Sequence, residues 1–278
     1  MNMEETHTDH PLFEHISDIA EAGKVINEIH ASEGASGNIS IMVGESIDPQ
    51  PLFTEEISID LPAKYVELTG KFILVTGSNC RLRRITMNPL DRIALIKILD
   101  GGDKATMYVN NSHSFSKPTS ELISHLMLHQ KAVHNGEGDI NAVLHAHPRF
   151  LKMLSHIPAY QNNETLNQNL MRWHPEMIVF MPKGITFVPY QLPGSKNLME
   201  ETRKRVGKSK VIVWERHGLI TVSRESLIKA LDLFEYVESA AHSEYMDILA
   251  GNLAKKLSDK EIANITSKFN LSTNLLKP

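Results

Sequence analysis

The chain has 278 residues, 41 % hydrophobic and 22 % charged, with a net charge of −4 and one cysteine, Cys80. That composition excludes a disordered or fibrous chain, a general basic surface for nucleic acid and an internal disulfide. No window approaches the roughly twenty unbroken apolar residues of a membrane span, and "MNMEETHTDH" lacks the basic start and apolar run of a secretory signal, so the expected compartment is the cytoplasm.

Residues 1–10 are polar and read as a loose leader, and residues 11–278 as one domain. Apolar residues at helical spacing predict a helix over about 12–30. "SEGASGNISIMV" then turns from small residues into the alternating run Ile39, Ile41, Val43, a loop feeding a strand. Residues 44–70 are irregular with an edge strand, and "KFILVTGSN" is a buried strand ending in a small-residue turn. "NPLDRIALIKIL" fits a proline-started helix or a strand, and the pattern does not choose between them. "KPTSELISHLMLHQKAVHN" is a helix with Glu121 in its first turn and Asn135-Gly136 at its end. "INAVLHAH" is a strand, a helix starts at Pro148, and "AYQNNETLNQN" reads as loop. "EMIVFMP", "ITFVPY", "KVIVWERHG" and "LITVS" are strand candidates. A long amphipathic helix ends at Gly251, and "LSDKEIANITSKFNLS" adds one more. Strands and helices mixed in this order indicate one α/β domain.

Fourteen histidines are the unusual entry in the composition. Successive strand residues point to opposite faces, so His145 and His147 share a face and can chelate one divalent ion, or they can be satisfied by neighbouring carbonyls. His217, followed by glycine between two strand runs, sits at the rim of the sheet, as a turn residue or as a third ligand. Three imidazoles match catalytic zinc, which leaves a position for water or substrate. Glu121 is the carboxylate to add, although a glutamate in a first helical turn also complements the helix dipole. A rival cluster is Glu121, His125 and His129, spaced i, i+4, i+8 on one helix face.

Three small-residue turns, Ser36-Gly37-Asn38, Thr76-Gly77-Ser78 and Thr119-Ser120, offer backbone N–H groups, hydroxyls and a helix start to an anion, though each alone is an ordinary turn or cap. No GxxxxGK[ST] or complete GxGxxG accompanies them. No GxSxG elbow supports a serine hydrolase, and "PGS" at 193–195 is a plain turn. Cys80 reads as a small buried residue rather than a nucleophile.

The set "ASGNIS", "VTGS", "PTSE", "LHAH" and "ERHG", in this order and spacing, resembles the class II, zinc-dependent aldolases of sugar phosphates. Within that family it is most similar to the rhamnulose-phosphate branch, through "PTSEL", "EMIVFMPKG" and the terminal "SDKEIANITSKFNLS". The resemblance implies an α-β-α layered domain around a largely antiparallel sheet, assembled as a homotetramer with sites between subunits. It implies one Zn2+ per subunit on His145, His147 and His217, with Glu121 catalytic and a weaker acidic contribution from Glu176 across a subunit boundary. Substrate phosphate falls to Asn38, Thr76, Gly77, Thr119 and Ser120. The implied reaction cleaves a ketose 1-phosphate between C3 and C4 into dihydroxyacetone phosphate and an aldehyde, through a metal-stabilised enediolate. For rhamnulose 1-phosphate the aldehyde is lactaldehyde. Alternatives on the same scaffold are a fuculose-phosphate aldolase, a ribulose-phosphate epimerase, a dehydratase and an adducin-like binding protein. Ser36 stands where relatives carry glycine, which leaves the particular sugar open.

Overall fold

A computed structural model describes residues 9–134, 141–207 and 209–273. The expected leader through residue 8 and the expected helix end at Asn135-Gly136 lie outside those residues.

In chain order the elements are α1 Phe13–Glu28, β1 Asn38–Gly44, β2 Glu55–Asp60, β3 Phe72–Thr76, β4 Ile93–Ile98, β5 Lys104–Val109, α2 Leu122–His134, β6 Ala142–Ala146, α3 Arg149–Leu154, α4 Asn163–Leu170, α5 Pro175–Phe180, β7 Ile185–Val188, α6 Lys196–Arg205, β8 Val211–Trp214, β9 Gly218–Ser223, α7 Leu227–Ala250 and α8 Asp259–Lys268. The nine strands form one sheet in the order β2-β5-β4-β3-β1-β6-β9-β8-β7. All neighbours are antiparallel except β7 and β8, so the sheet is largely antiparallel as expected, and β2 takes the edge.

Alternation along the strands divides the core into two. Ile39 and Ile41 of β1 and Leu144 of β6 pack with α1, α3, α4, α5, α7 and α8, while Met42, Val143, Ile212 and Trp214 pack with α2 and α6 on the other face. Ile16, Ile19 and Ile26 show how α1 holds its layer: each is fully buried, and each such side chain contributes about 1.5–3 kcal/mol on leaving water. This is an α-β-α layered α/β domain. No helix among the described residues is long and apolar enough to cross a membrane.

Several local expectations are corrected. "EMIVFMP" is not a strand but α5: Pro175 occupies the first helical turn, and Met177, Ile178 and Met181 bury one helical face, a spacing that a short apolar run conceals. "AYQNNETLNQN" is not loop, since Asn162 caps α4 by accepting from Thr165 N, and Leu166 and Leu170 bury its inner side. Its polarity belongs to a solvent face. The open segment around Pro89 resolves into a short 3-10 turn at Pro89–Asp91 and the strand β4. The strand β5 and the helix α6, capped by Ser195 in the "PGS" turn, were not foreseen. The alternation Ala105, Met107, Val109 and the spacing Leu198, Met199, Thr202 are their signals.

Candidate functional site

The sheet's central strands carry the site on the face toward α2. Asn38 of β1 is the direct cross-strand partner of His145 of β6, so both side chains project to that face. His147 follows just past the end of β6, and His217 sits in the tight turn between β8 and β9, where Arg216 takes a left-handed φ of 56°. Gly218 is required there by close approach: a Cβ would lie 2.4 Å from the Ala146 carbonyl oxygen, 2.9 Å from His145 Cε1 and 3.0 Å from His147 Cδ2. Gly37 (φ 89°) has the same function before β1, where a Cβ would meet Leu82 at 2.8 Å.

The three rings converge with centroid separations of 5.2, 4.9 and 5.0 Å, and one ligand nitrogen from each lies within 4.8 Å of the others, a grouping able to hold a metal ion. Glu121 closes the ring. Its Oε2 is 3.2 Å from His145 Nε2 and its Oε1 3.2 Å from His217 Nε2. It is not in the first turn of α2 as expected but immediately before it, its carbonyl accepting from Ser124 and His125 N–H, which turns the carboxylate toward the strands. It is 4 % exposed. Burial would raise its pKa, but the His145 and His217 imidazoles in their protonated forms and the hydrogen bond from the Asn38 amide outweigh burial and hold it below the usual carboxylate range.

Burial pushes His145 well below the ordinary imidazole value; burial and the neighbouring His217 push His147 down to about 4. Both are therefore neutral near pH 7, the state a metal ligand requires. His145 Nδ1 donates to the Leu219 carbonyl at 3.0 Å, fixing the tautomer that leaves Nε2 a bare lone pair. That nitrogen is buried without a hydrogen-bond partner, as is His217 Nδ1. A lone pair facing a carboxylate oxygen is two acceptors in contact, and a cation between them resolves the conflict. The residues present fit a divalent ion. Behind them Trp214 stacks on His217 with an interplanar angle of 17°, anchored by its indole N–H donating to Thr202 Oγ1 of α6 at 2.9 Å. At the outer side His147 Nδ1 lies 3.4 Å from Glu33, which also pairs with Lys152.

The rival stripe of Glu121, His125 and His129 is not assembled as a ligand set. His125 Nδ1 and His129 Nε2 each meet Ser40 Oγ at 2.8 Å, and His125 Nε2 meets Asn38 Oδ1 at 2.6 Å, so both His125 nitrogens are engaged.

The three small-residue turns do meet at one rim. Ile39 N donates to Thr76 Oγ1, Thr119 N donates to the Thr76 carbonyl, and Gly77 bridges Pro118. The N–H groups of Gly77, Ser78 and Thr119 donate to the Arg92, Lys117 and Thr76 carbonyls, and Thr76, Thr119 and exposed Ser120 also carry hydroxyls. Ser36 donates its hydroxyl to the Glu33 carbonyl and so stays within its own loop. Glu176 is exposed on α5, in the layer on the opposite sheet face. Cys80 is buried, and burial pushes its thiol pKa up. Sequence reasoning missed Ser40, Trp214 and the Leu219 carbonyl. Ser40 had a signal, a polar residue in phase with Asn38 within an apolar strand.

The family model for the class II aldolase and adducin N-terminal domain matches residues 17–245. Similar curated proteins include a rhamnulose-1-phosphate aldolase of Bacteroides thetaiotaomicron, 27 % identical over 267 residues and covering 94 % of this chain and 96 % of that one. Another, of Yersinia pseudotuberculosis, is 24 % identical over 243 residues, covering 86 % and 88 %. Among solved structures, a sugar-phosphate aldolase from Thermotoga maritima superposes with a TM-score of 0.74 at 27 % identity, covering 86 % and 96 %. An L-fuculose 1-phosphate aldolase superposes at 0.58 with 19 % identity over 97 % and 100 %, a likeness of fold.

Proposed function

Because the chain belongs to the class II aldolase and adducin family and is an aldolase-type lyase, we propose that it is a zinc-dependent aldolase of ketose 1-phosphates, with L-rhamnulose 1-phosphate as the preferred substrate. The products are dihydroxyacetone phosphate and L-lactaldehyde. The observation that carries this reading is the bare Nε2 of His145 set against the ionised Glu121 carboxylate inside a ring of three imidazoles.

Three imidazoles with an open side are the donor set of catalytic zinc, which when bound supplies Lewis-acid stabilisation of negative charge on the substrate's oxygens. Glu121, tethered at Oε2 by Asn38 Nδ2 at 2.9 Å, takes the proton of the substrate's C4 hydroxyl as the C3–C4 bond breaks into aldehyde and enediolate, gives that proton to C3 of the three-carbon fragment, and runs the same transfers backwards in the reverse direction. Thr76, Thr119 and Ser120 hold the phosphate through their hydroxyls, with Asn38 and Gly77 shaping the floor of that subsite, which places the reacting bond beside Glu121. Trp214, 1 % exposed, keeps water from the rear of the imidazole ring. The choice of rhamnulose rests on the names of relatives that match nearly end to end. A homotetramer with sites between subunits belongs to the same reading, and the exposure of Glu176 suits its approach to a neighbour's site.

The test is a coupled assay for dihydroxyacetone phosphate release from rhamnulose, fuculose, ribulose and xylulose 1-phosphates, with and without a chelator. Release is expected to be greatest from rhamnulose 1-phosphate, to stop with the chelator and to return with Zn2+. No release from any of them would overturn the aldolase reading.

A further inference from the structure

Behind Glu121, between β1 and α2, a line of buried polar groups runs away from the substrate side: Glu121, Asn38, His125, Ser40, His129. Its links are 2.9, 2.6, 2.8 and 2.8 Å, and Ser40, His125 and His129 are fully buried. These links do not involve the three convergent imidazoles, and the proposed reaction leaves Ser40, His125 and His129 unused.

Proton accounting allows this line two self-consistent directions. In one, every donor points toward Glu121: His129 Nε2–H to Ser40 Oγ, Ser40 O–H to His125 Nδ1, His125 Nε2–H to Asn38 Oδ1, Asn38 Nδ2–H to Glu121 Oε2. In the other, every bond is reversed and the Asn38 amide is flipped. The structure sets the amide the first way, with Asn38 Nδ2 on Glu121 Oε2 at 2.9 Å and Asn38 Oδ1 on His125 Nε2 at 2.6 Å, so the reversed line, which needs the opposite amide orientation, does not fit. Mixed directions need His125 to donate from both ring nitrogens as an imidazolium, and burial pushes its pKa down to about 3.

We propose that Ser40, His125 and His129 are positioning residues, a one-way line of hydrogen-bond donors that locks the Asn38 amide with its N–H on Glu121 and so fixes the orientation of the carboxylate at the reacting carbon. Its effect on turnover rests on the aldolase reading; the hydrogen-bond direction itself does not. Ser40 is the pivot, because its single hydroxyl accepts from one histidine and donates to the other, and without it His125 Nδ1 and His129 Nε2 both lose their hydroxyl partner.

Two measurements test this. Imidazole nitrogen NMR of the 15N-histidine-labelled protein, with His125 assigned by the signal missing from His125→Gln, is expected to show Nε2 protonated and Nδ1 bare. A protonated Nδ1 overturns the direction. The pair Ser40→Thr and Ser40→Val, equal in shape and different only in the hydroxyl, is then compared for metal content, kcat and KM. Both are expected to bind one metal per chain. The valine variant loses about 10-fold or more in kcat with KM changed less than about 3-fold, and the threonine variant keeps kcat within about 3-fold of the parent, the pattern of a lost orientation rather than lost binding. Equal kcat in the two variants overturns the positioning role. If the parent releases no dihydroxyacetone phosphate, the aldolase reading has failed, and the NMR measurement alone still decides the direction of the line.

Discussion

Gly218→Ala isolates the packing that brings the histidines together. The added Cβ would sit 2.4 Å from the Ala146 carbonyl oxygen, where ordinary contact begins at 3.4 Å, a shortfall of 3.4 − 2.4 = 1.0 Å. That oxygen belongs to β6, laddered to β9 with Ala146 opposite Leu219, so the two strands must part near the site. The same Cβ falls short of ordinary contact by 0.5 Å at His145 Cε1 and 0.4 Å at His147 Cδ2. A metal site tolerates displacements of only about 0.2 Å in its ligand distances, so both rings cannot yield and still ligate. Overpacking of this kind costs about 1–3 kcal/mol of stability, and a disturbed ligand setting costs about 10- to 100-fold in metal affinity, or about 1.4–2.8 kcal/mol. Urea unfolding of the metal-depleted protein reads the first quantity, and Zn2+ competition against a chromophoric chelator reads the second. Ile220→Val on the same strand serves as the comparison: it should lose about 0.5–1.5 kcal/mol of stability with metal affinity unchanged. Gly218→Ala with parental affinity for Zn2+ would refute the argument that this glycine exists to let two ligands close.

Glu121→Gln should keep the fold and one metal per chain while slowing dihydroxyacetone phosphate release at least about 100-fold; near-parental turnover would remove Glu121 from the chemistry. On the far side of the sheet, Glu244 is 1 % exposed and accepts from Trp173 Nε1 at 2.8 Å, from Tyr160 and from Lys256. Glu244→Leu should therefore cost about 3 kcal/mol, at the low end for a broken buried pair because Lys256 keeps some access to water, with zinc affinity intact. The metal-depleted protein should lose stability as pH falls through the window from about 6.5 downward. His125, His145 and His147 have folded pKa values below their unfolded ones, so the unfolded chain binds more protons there, and each group takes away up to about 1.4 kcal/mol per pH unit. His125→Gln should flatten that slope in urea titrations at pH 7.5 and 5.5, and an unchanged slope would contradict the neutral, buried assignment.

The elements that bring the three histidines together were legible because their signals are local. The two-residue period put His145 and His147 on one side of a strand, and the glycine after His217 marked a tight turn between two apolar runs. Segments whose character depends on what covers them were not legible. Residues 177–181 form an apolar run whether they are strand or helix, and only the packing of Met177 and Ile178 against the sheet-covering layer decides for helix. Asn163–Leu170 hides a buried face of two leucines within a polar segment. The bonds from Ser40 to His125 and His129 span 85 and 89 residues, so the helix spacing that made those histidines look like a ligand stripe gave no hint that a strand serine had already engaged them. The anion turns show the same limit. Their residue types and proximity could be read, but that the amides of Gly77 and Thr119 donate to backbone carbonyls follows only from the tertiary pairing.

Metal analysis of the purified chain beside His217→Asn decides whether His145, His147 and His217 hold a divalent ion against Glu121. Close to one zinc per chain is expected in the parent and its loss in the variant, with the fold retained in both. A His217→Asn protein that keeps stoichiometric metal would contradict that assignment.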